Sequence, residues 1–163
     1  MPVTDEDVFI AAPPEAVFDY LDDPTHFPVF DPTILTAQLD GDGASRVGSH
    51  IRGTSKILGQ TFHWVVEVIE HDRPKKHVAK SVEGEISFTT TYTFSPEAGG
   101  TRLHYRLEAA TGLGGVFGGL GDPAVSEVGA RQMRTNLATL AQILAGQDGS
   151  AQRLHGEQGL TPV

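Results

Sequence analysis

The stretch Ile10–Pro28, IAAPPEAVFDYLDDPTHFP, decides the fold. Val8 and Ile10 fall on one side of a two-residue alternation, which marks the end of a strand. Pro14 fits the first turn of a helix, where its missing N–H costs nothing. Val17, Phe18 and Leu21 then make an apolar stripe at helical spacing, and Pro24 and Pro28 stop it. A strand therefore runs straight into short helices.

Beyond this entry the chain reads as strands divided by turn signals. One strand spans about Thr33 to Leu39 and ends at Asp40-Gly41-Asp42-Gly43; the next spans Arg46 to Ile57 and turns at Leu58-Gly59; a third spans Gln60 to His71 and stops at Asp72-Arg73-Pro74. A turn at Leu58-Gly59 sets Gly53 opposite Trp64 and Ser55 opposite Phe62 on an apolar face, with Thr54 opposite His63 on a polar one. Glu83-Gly84 separates Lys76–Val82 from Ile86–Phe94, and Pro96–Gly100 separates that from Thr101–Ala110. Phe88, Tyr92 and Phe94 share a face with Leu103, Tyr105 and Leu107. With the first strand the count is seven. Asp122-Pro123 opens a long helix to about Ala145, whose Val125, Met133, Leu137, Leu140, Ala141 and Leu144 follow the helical period, with Glu127, Arg131, Arg134 and Gln142 facing water.

The chain has 163 residues, a formal net charge of −9 and no cysteine. That length suits one domain, at residues 1–146, and the polar 147–163 stretch reads as a disordered tail. The acidic balance disfavours nucleic acid, and the lack of cysteine excludes disulfides and thiolate chemistry. No apolar run approaches the roughly 20 residues of a membrane span, so a cytoplasmic protein without integral membrane association, monomeric or homodimeric, is expected.

Ala11–Phe18 (AAPPEAVF), Asp23-Pro24 with Phe27 and Phe30, Val47-Gly48, Val68–Pro74 (VIEHDRP) and Gly99–Leu103 (GGTRL) occur in the order found in the SRPBCC superfamily, also called START-related or Bet v-like, and the chain resembles it from about Val8 to Ala145. Phe30 stands where many relatives have tryptophan. The resemblance implies an α+β helix-grip fold: a seven-stranded curved antiparallel sheet wrapped around a long C-terminal helix, with two short helices after the first strand. It also implies a cavity between sheet and helix for an apolar small molecule. The inward parity offers Ser55, Phe62, Trp64, Phe88, Tyr92 and Tyr105 from the sheet, and Met133 and Leu137 from the helix, as its lining.

Trp64 opposite Gly53 reads either as a ligand floor or as ordinary core. Tyr92 and Tyr105 read as hydrogen-bonding or catalytic phenols, or as satisfied core residues, since a phenol of pKa about 10 is a poor base at neutral pH. The seven histidines show no metal-ligand spacing and are expected on the surface, except His77, which shares parity with Ala79 and Ser81 and is a candidate general base. Asp22-Asp23 is expected to end the helix or face water. The glycine-rich Gly112–Gly121 segment offers Val116, Phe117 and Leu120 as an apolar cavity entrance, and its loose G-x-G-x-x-A is not a dinucleotide site, because no parallel strand follows. No metal or cofactor is expected. Binding, transport or sensing of a lipid, polyketide or aromatic molecule is the leading expectation. A polyketide cyclase/dehydratase-type enzyme using Tyr92, Tyr105 or His77 is the alternative.

Overall fold

The computed structural model describes residues 3–57, 59–84, 86–109 and 123–146. The strands are β1 (Val3–Ile10), β2 (Ile34–Leu39), β3 (His50–Ile57), β4 (Gln60–Asp72), β5 (Lys76–Gly84), β6 (Phe88–Glu97) and β7 (Gly100–Ala109). Helices α1 (Pro14–Leu21) and α2 (Phe27–Phe30), joined by a 3-10 turn at Pro24–His26, follow β1, and α3 spans Pro123–Ala145. Among the described residues, the seven strands form one curled antiparallel sheet in the order β1-β7-β6-β5-β4-β3-β2. Leu58, the expected entrance at 112–121 with Phe117, and the 147–163 tail lie outside the described residues.

The expected registers are present. Gly53 pairs with Trp64, Ser55 with Phe62 and Tyr92 with Tyr105. Strand β3 begins at His50 rather than Arg46 because Gly48, at φ 93, turns the chain just before it. Three irregularities in the ladder were not expected. Leu35, Ile69 and Val82 are each skipped in the pairing of their strands. Each of these bulged side chains is about half exposed, at 48%, 45% and 52%. A classic bulge puts two residues opposite one, bends the strand and restarts the alternation one residue later.

Among the described residues, apolar burial divides into two clusters. In one, Met133, Leu137, Leu140 and Leu144 of α3 pack with Ile10, Phe18, Phe94 and Leu103. In the other, Ala37, Ile51, Trp64, Val66, Val68, Ala79 and Ile86 pack on the β2–β5 half of the sheet. Phe27 of α2 touches both. The entry to α1 is pinned to the last strand by fully buried Thr101, whose hydroxyl donates to the Ala12 carbonyl at 2.7 Å. Arg73 at the β4–β5 turn holds α1 from outside through a two-pronged pair with Asp19 at 2.7 and 2.8 Å.

Trp64 fills the space above Gly53 so closely that a Cβ there would stand 2.3 Å from the indole and 2.6 Å from the Thr36 carbonyl oxygen. Gly53→Ala is therefore expected to destabilise the fold by about 1–3 kcal/mol, the usual range for overpacking, as read by urea denaturation.

On the outer face His104 sits between Asp7 and Asp5 of the neighbouring strand, its Nδ1 bonded to the first and its Nε2 to the second. Partial burial pulls its pKa down, but the hydrogen bonds to Asp7 and Asp5 outweigh this and the net shift is upward. A raised folded-state pKa stabilises the fold fully below the unfolded value of about 6.5, and that gain disappears as pH rises through the folded value. The stability difference between wild type and His104→Gln should be largest at about pH 5.5 and shrink at about pH 8.5, measured by thermal melting at both.

Candidate functional site

Antiparallel pairing lays side chains in transverse rows, and one row of the inner face is polar across five strands. His71 of β4 pairs with His77 of β5, His77 with Tyr92 of β6, Tyr92 with Tyr105 of β7, and Tyr105 with Glu6 of β1. Each end carries a charge partner from a helix. Asp22, at the C-terminus of α1, receives a hydrogen bond from His71 Nε2 at 3.0 and 3.1 Å to its two oxygens. Arg134 of α3 donates to Glu6 at 2.8 Å.

His71 reaches this row because of the bulge at Ile69. An unbroken alternation from Trp64, Val66 and Val68 would send His71 outward; skipping Ile69 turns it in. The expectation of a surface position for His71 is thus corrected: its side chain is only 17% exposed and meets Phe18 edge-on at 5.1 Å. Asp22 ends α1, the first of the two expected roles, and its carboxylate is turned inward to the histidine. Asp23 caps the following turn through Thr25, as its position before Pro24 suggests.

His77 points inward, as its parity implies, and is buried. Neither ring nitrogen has a hydrogen-bond partner among the described residues. Its Nε2 lies 3.7 Å from Asp22 Oδ1. Burial lowers its pKa to about 4; the Asp22 charge opposes this and His71 adds to it, so the imidazole is neutral at pH 7. Beside it Tyr92 and Tyr105 stack with ring centroids 4.6 Å apart and planes 22° from parallel. Burial raises both phenol pKa values, and the nearby Asp31 carboxylate adds to this. Both therefore keep their protons at neutral pH and act as hydrogen-bonding groups.

The remaining residues singled out from sequence fall into two places. Ser55, Phe62, Trp64 and Phe88 belong to the β3–β6 side. There the Trp64 indole N–H donates to Ser55 Oγ at 2.9 Å and the indole meets Phe88 edge-on at 6.1 Å. The two polar tips satisfy each other, so this group forms a wall. Met133 and Leu137 lie in the α3 cluster, against which Tyr92 and Tyr105 pack. Surface concavities of about 350 and 420 Å³ are present. The first lies among Arg52, Gly53, Thr54, His63, Trp64 and Glu83, so of the residues singled out from sequence it includes Trp64; the second runs along the chain from Leu39 to His50, and neither is lined by Tyr92, Tyr105, Met133 or Leu137. Among the described residues no group of three His, Asp or Glu is placed to hold a metal ion, and no helix is long and apolar enough to cross a membrane.

A curled sheet with a long terminal helix and two short helices after β1 is the helix-grip architecture, and the sequence agrees with it. Residues 1–145 match the family described as polyketide cyclase / dehydrase and lipid transport. The chain belongs to this family. Solved structures with the same fold include TTHA0849 from Thermus thermophilus, 22% identical, covering 90% of this chain and 99% of its own, with a TM-score of 0.74. The Zhui aromatase/cyclase from Streptomyces sp. R1128 is 13% identical, covers 91% of this chain and 96% of its own, and gives a TM-score of 0.73. Ginseng major latex-like protein 151 from Panax ginseng is 15% identical, with 87% and 96% coverage and a TM-score of 0.65. These likenesses support the fold, and family and fold together place the chain in the SRPBCC superfamily. No curated protein matches the sequence.

Ser55→Ala should leave the buried Trp64 N–H without an acceptor and cost about 1–3 kcal/mol, measurable as a lowered urea midpoint with unchanged slope.

Proposed function

We propose that this family member binds an apolar small molecule against the inner sheet face, between the α3 side and the Trp64 wall, and holds it for transport or sensing. The observation that carries this reading is incomplete coverage: Phe62, Phe88, Tyr92, Tyr105 and Leu107 all face inward, yet each remains partly exposed. In a closed core such side chains would be buried, and together they offer the apolar lining with few polar groups that ligand sites share. Met133 and Leu137 supply the opposite side. The family description, which joins lipid transport to cyclase chemistry, supports the same class of ligand.

A second reading, a polyketide cyclase/dehydratase-type enzyme acting in the same place, is favoured by one observation: a neutral buried imidazole, His77, adjoins a stacked phenol pair. His77, Tyr92 and Tyr105 are its candidate proton-transfer groups. Co-purification of a polycyclic aromatic product in native mass spectrometry would favour this reading, and co-purification of an unreacted lipid would favour carriage.

The full chain should bind the neutral probe N-phenyl-1-naphthylamine with a rise in fluorescence. Leu107→Arg, which sets a charge on the inner face at a partly exposed position, should weaken that binding about tenfold or more, with circular dichroism confirming the fold. Absence of binding by wild type, or undiminished binding by Leu107→Arg, would overturn the assignment.

A further inference from the structure

Among the described residues, the buried side-chain polar atoms without a partner are Ser45 Oγ and the two ring nitrogens of His77. Only His77 stands in the inner-face row. Its surroundings distinguish its two nitrogens. Nε2 faces Asp22 Oδ1 at 3.7 Å, beyond hydrogen-bond length but near enough for a proton on Nε2 to face negative charge. Asp22 is held in place by His71, which bonds both of its oxygens. A neutral imidazole carries one proton, on one nitrogen or the other. The Asp22 carboxylate favours Nε2, which leaves Nδ1 as a buried lone pair with no donor among the described residues.

We propose that Nδ1 of His77 accepts a hydrogen bond from a hydroxyl of the bound ligand, so that the site selects neutral apolar molecules bearing a phenol, enol or alcohol O–H over their ethers. This rests on the reading of the inner face as the ligand site. Rings surround the imidazole: Phe18 at 6.0 Å, His71 at 5.7 Å and Tyr92 at 6.5 Å between centroids. They suit an aromatic body set edge to face. An anionic ligand is disfavoured by Asp22 beside His77 and by Asp31 beside the tyrosines. An ammonium donor would have to shed its water among these rings. A neutral hydroxyl meets neither cost and supplies the missing proton. Asp22 and His71 act here as positioning residues that set the tautomer of His77.

The test displaces N-phenyl-1-naphthylamine from the full chain with 1-naphthol and with 1-methoxynaphthalene. The ether is the more apolar of the two, so hydrophobicity alone ranks it first. The expected result is the reverse, with 1-naphthol about tenfold tighter, the worth of one buried hydrogen bond. In His77→Phe the ratio between the two probes should fall to about one or invert. Nitrogen NMR of the wild-type imidazole gives a readout independent of any variant: Nε2 should carry the proton, and the Nδ1 resonance should move with 1-naphthol and not with the ether. A wild-type ratio near one, a ratio that survives in His77→Phe, or a proton on Nδ1 would overturn the proposal. If the fluorescent probe binds and neither naphthalene displaces it, the hydroxyl proposal fails while the ligand site stands. If the fluorescent probe does not bind, both fail.

Discussion

A β-strand sends successive side chains to opposite faces, and this constraint governs the molecule. A sheet that curls around helices must break the alternation somewhere, and here it does so at Leu35, Ile69 and Val82. Each break throws one aliphatic side chain outward and restarts the pattern, so that residues on both sides of it serve the same face. At Ile69 the result is chemical as well as geometric. Val68 remains in the apolar cluster while His71, three residues on, turns inward to meet Asp22. Without that bulge the alternation from Val68 would turn Glu70 and Asp72 inward and His71 out.

The polar row shows how a hydrophobic interior tolerates titratable groups. Charges sit at its ends, Asp22 against His71 on one side and Glu6 against Arg134 on the other, each pair joining the sheet to a helix. The middle members, His77, Tyr92 and Tyr105, are neutral at pH 7 because burial shifts each toward its uncharged form. An ionised group at the centre would need a counter-charge there, whereas a neutral one needs only a hydrogen-bond partner. The row is therefore held at both ends and neutral in between.

The sequence revealed the fold well because its strong signals are local. Pro14 and Asp23-Pro24 bound the first helix, Gly59 closes the β3–β4 turn, and the parity of Gly53 with Trp64 and of Tyr92 with Tyr105 follows from counting. His77 was readable by the same counting. His71 was not, since a bulge adds one residue without an obvious turn signal: Ile69 is β-branched and aliphatic, as a regular strand residue would be. Asp22 was hidden for a different reason. Its partner lies 49 residues away, and a carboxylate next to a helix end gives no sign of which way it faces. The Trp64–Ser55 bond lay between these cases, with position legible and partnership not.

The pairing of β1 with β7 joins Val3 to Glu108 and Ile10 to Thr101, so the first strand made is among the last to be paired. During synthesis β1 leaves the ribosome before its one sheet neighbour, β7, exists, and β2, the next strand made, lies at the other edge of the sheet. The long loop must close before any of those contacts stabilises it, which places the fold among the slower, high contact-order topologies. Until then β1 is an unpaired edge, and its consecutive Asp5, Glu6 and Asp7 supply the like charge that keeps such an edge from pairing with another nascent chain. The residues that later clasp His104 and Arg134 thus protect the unfinished chain first.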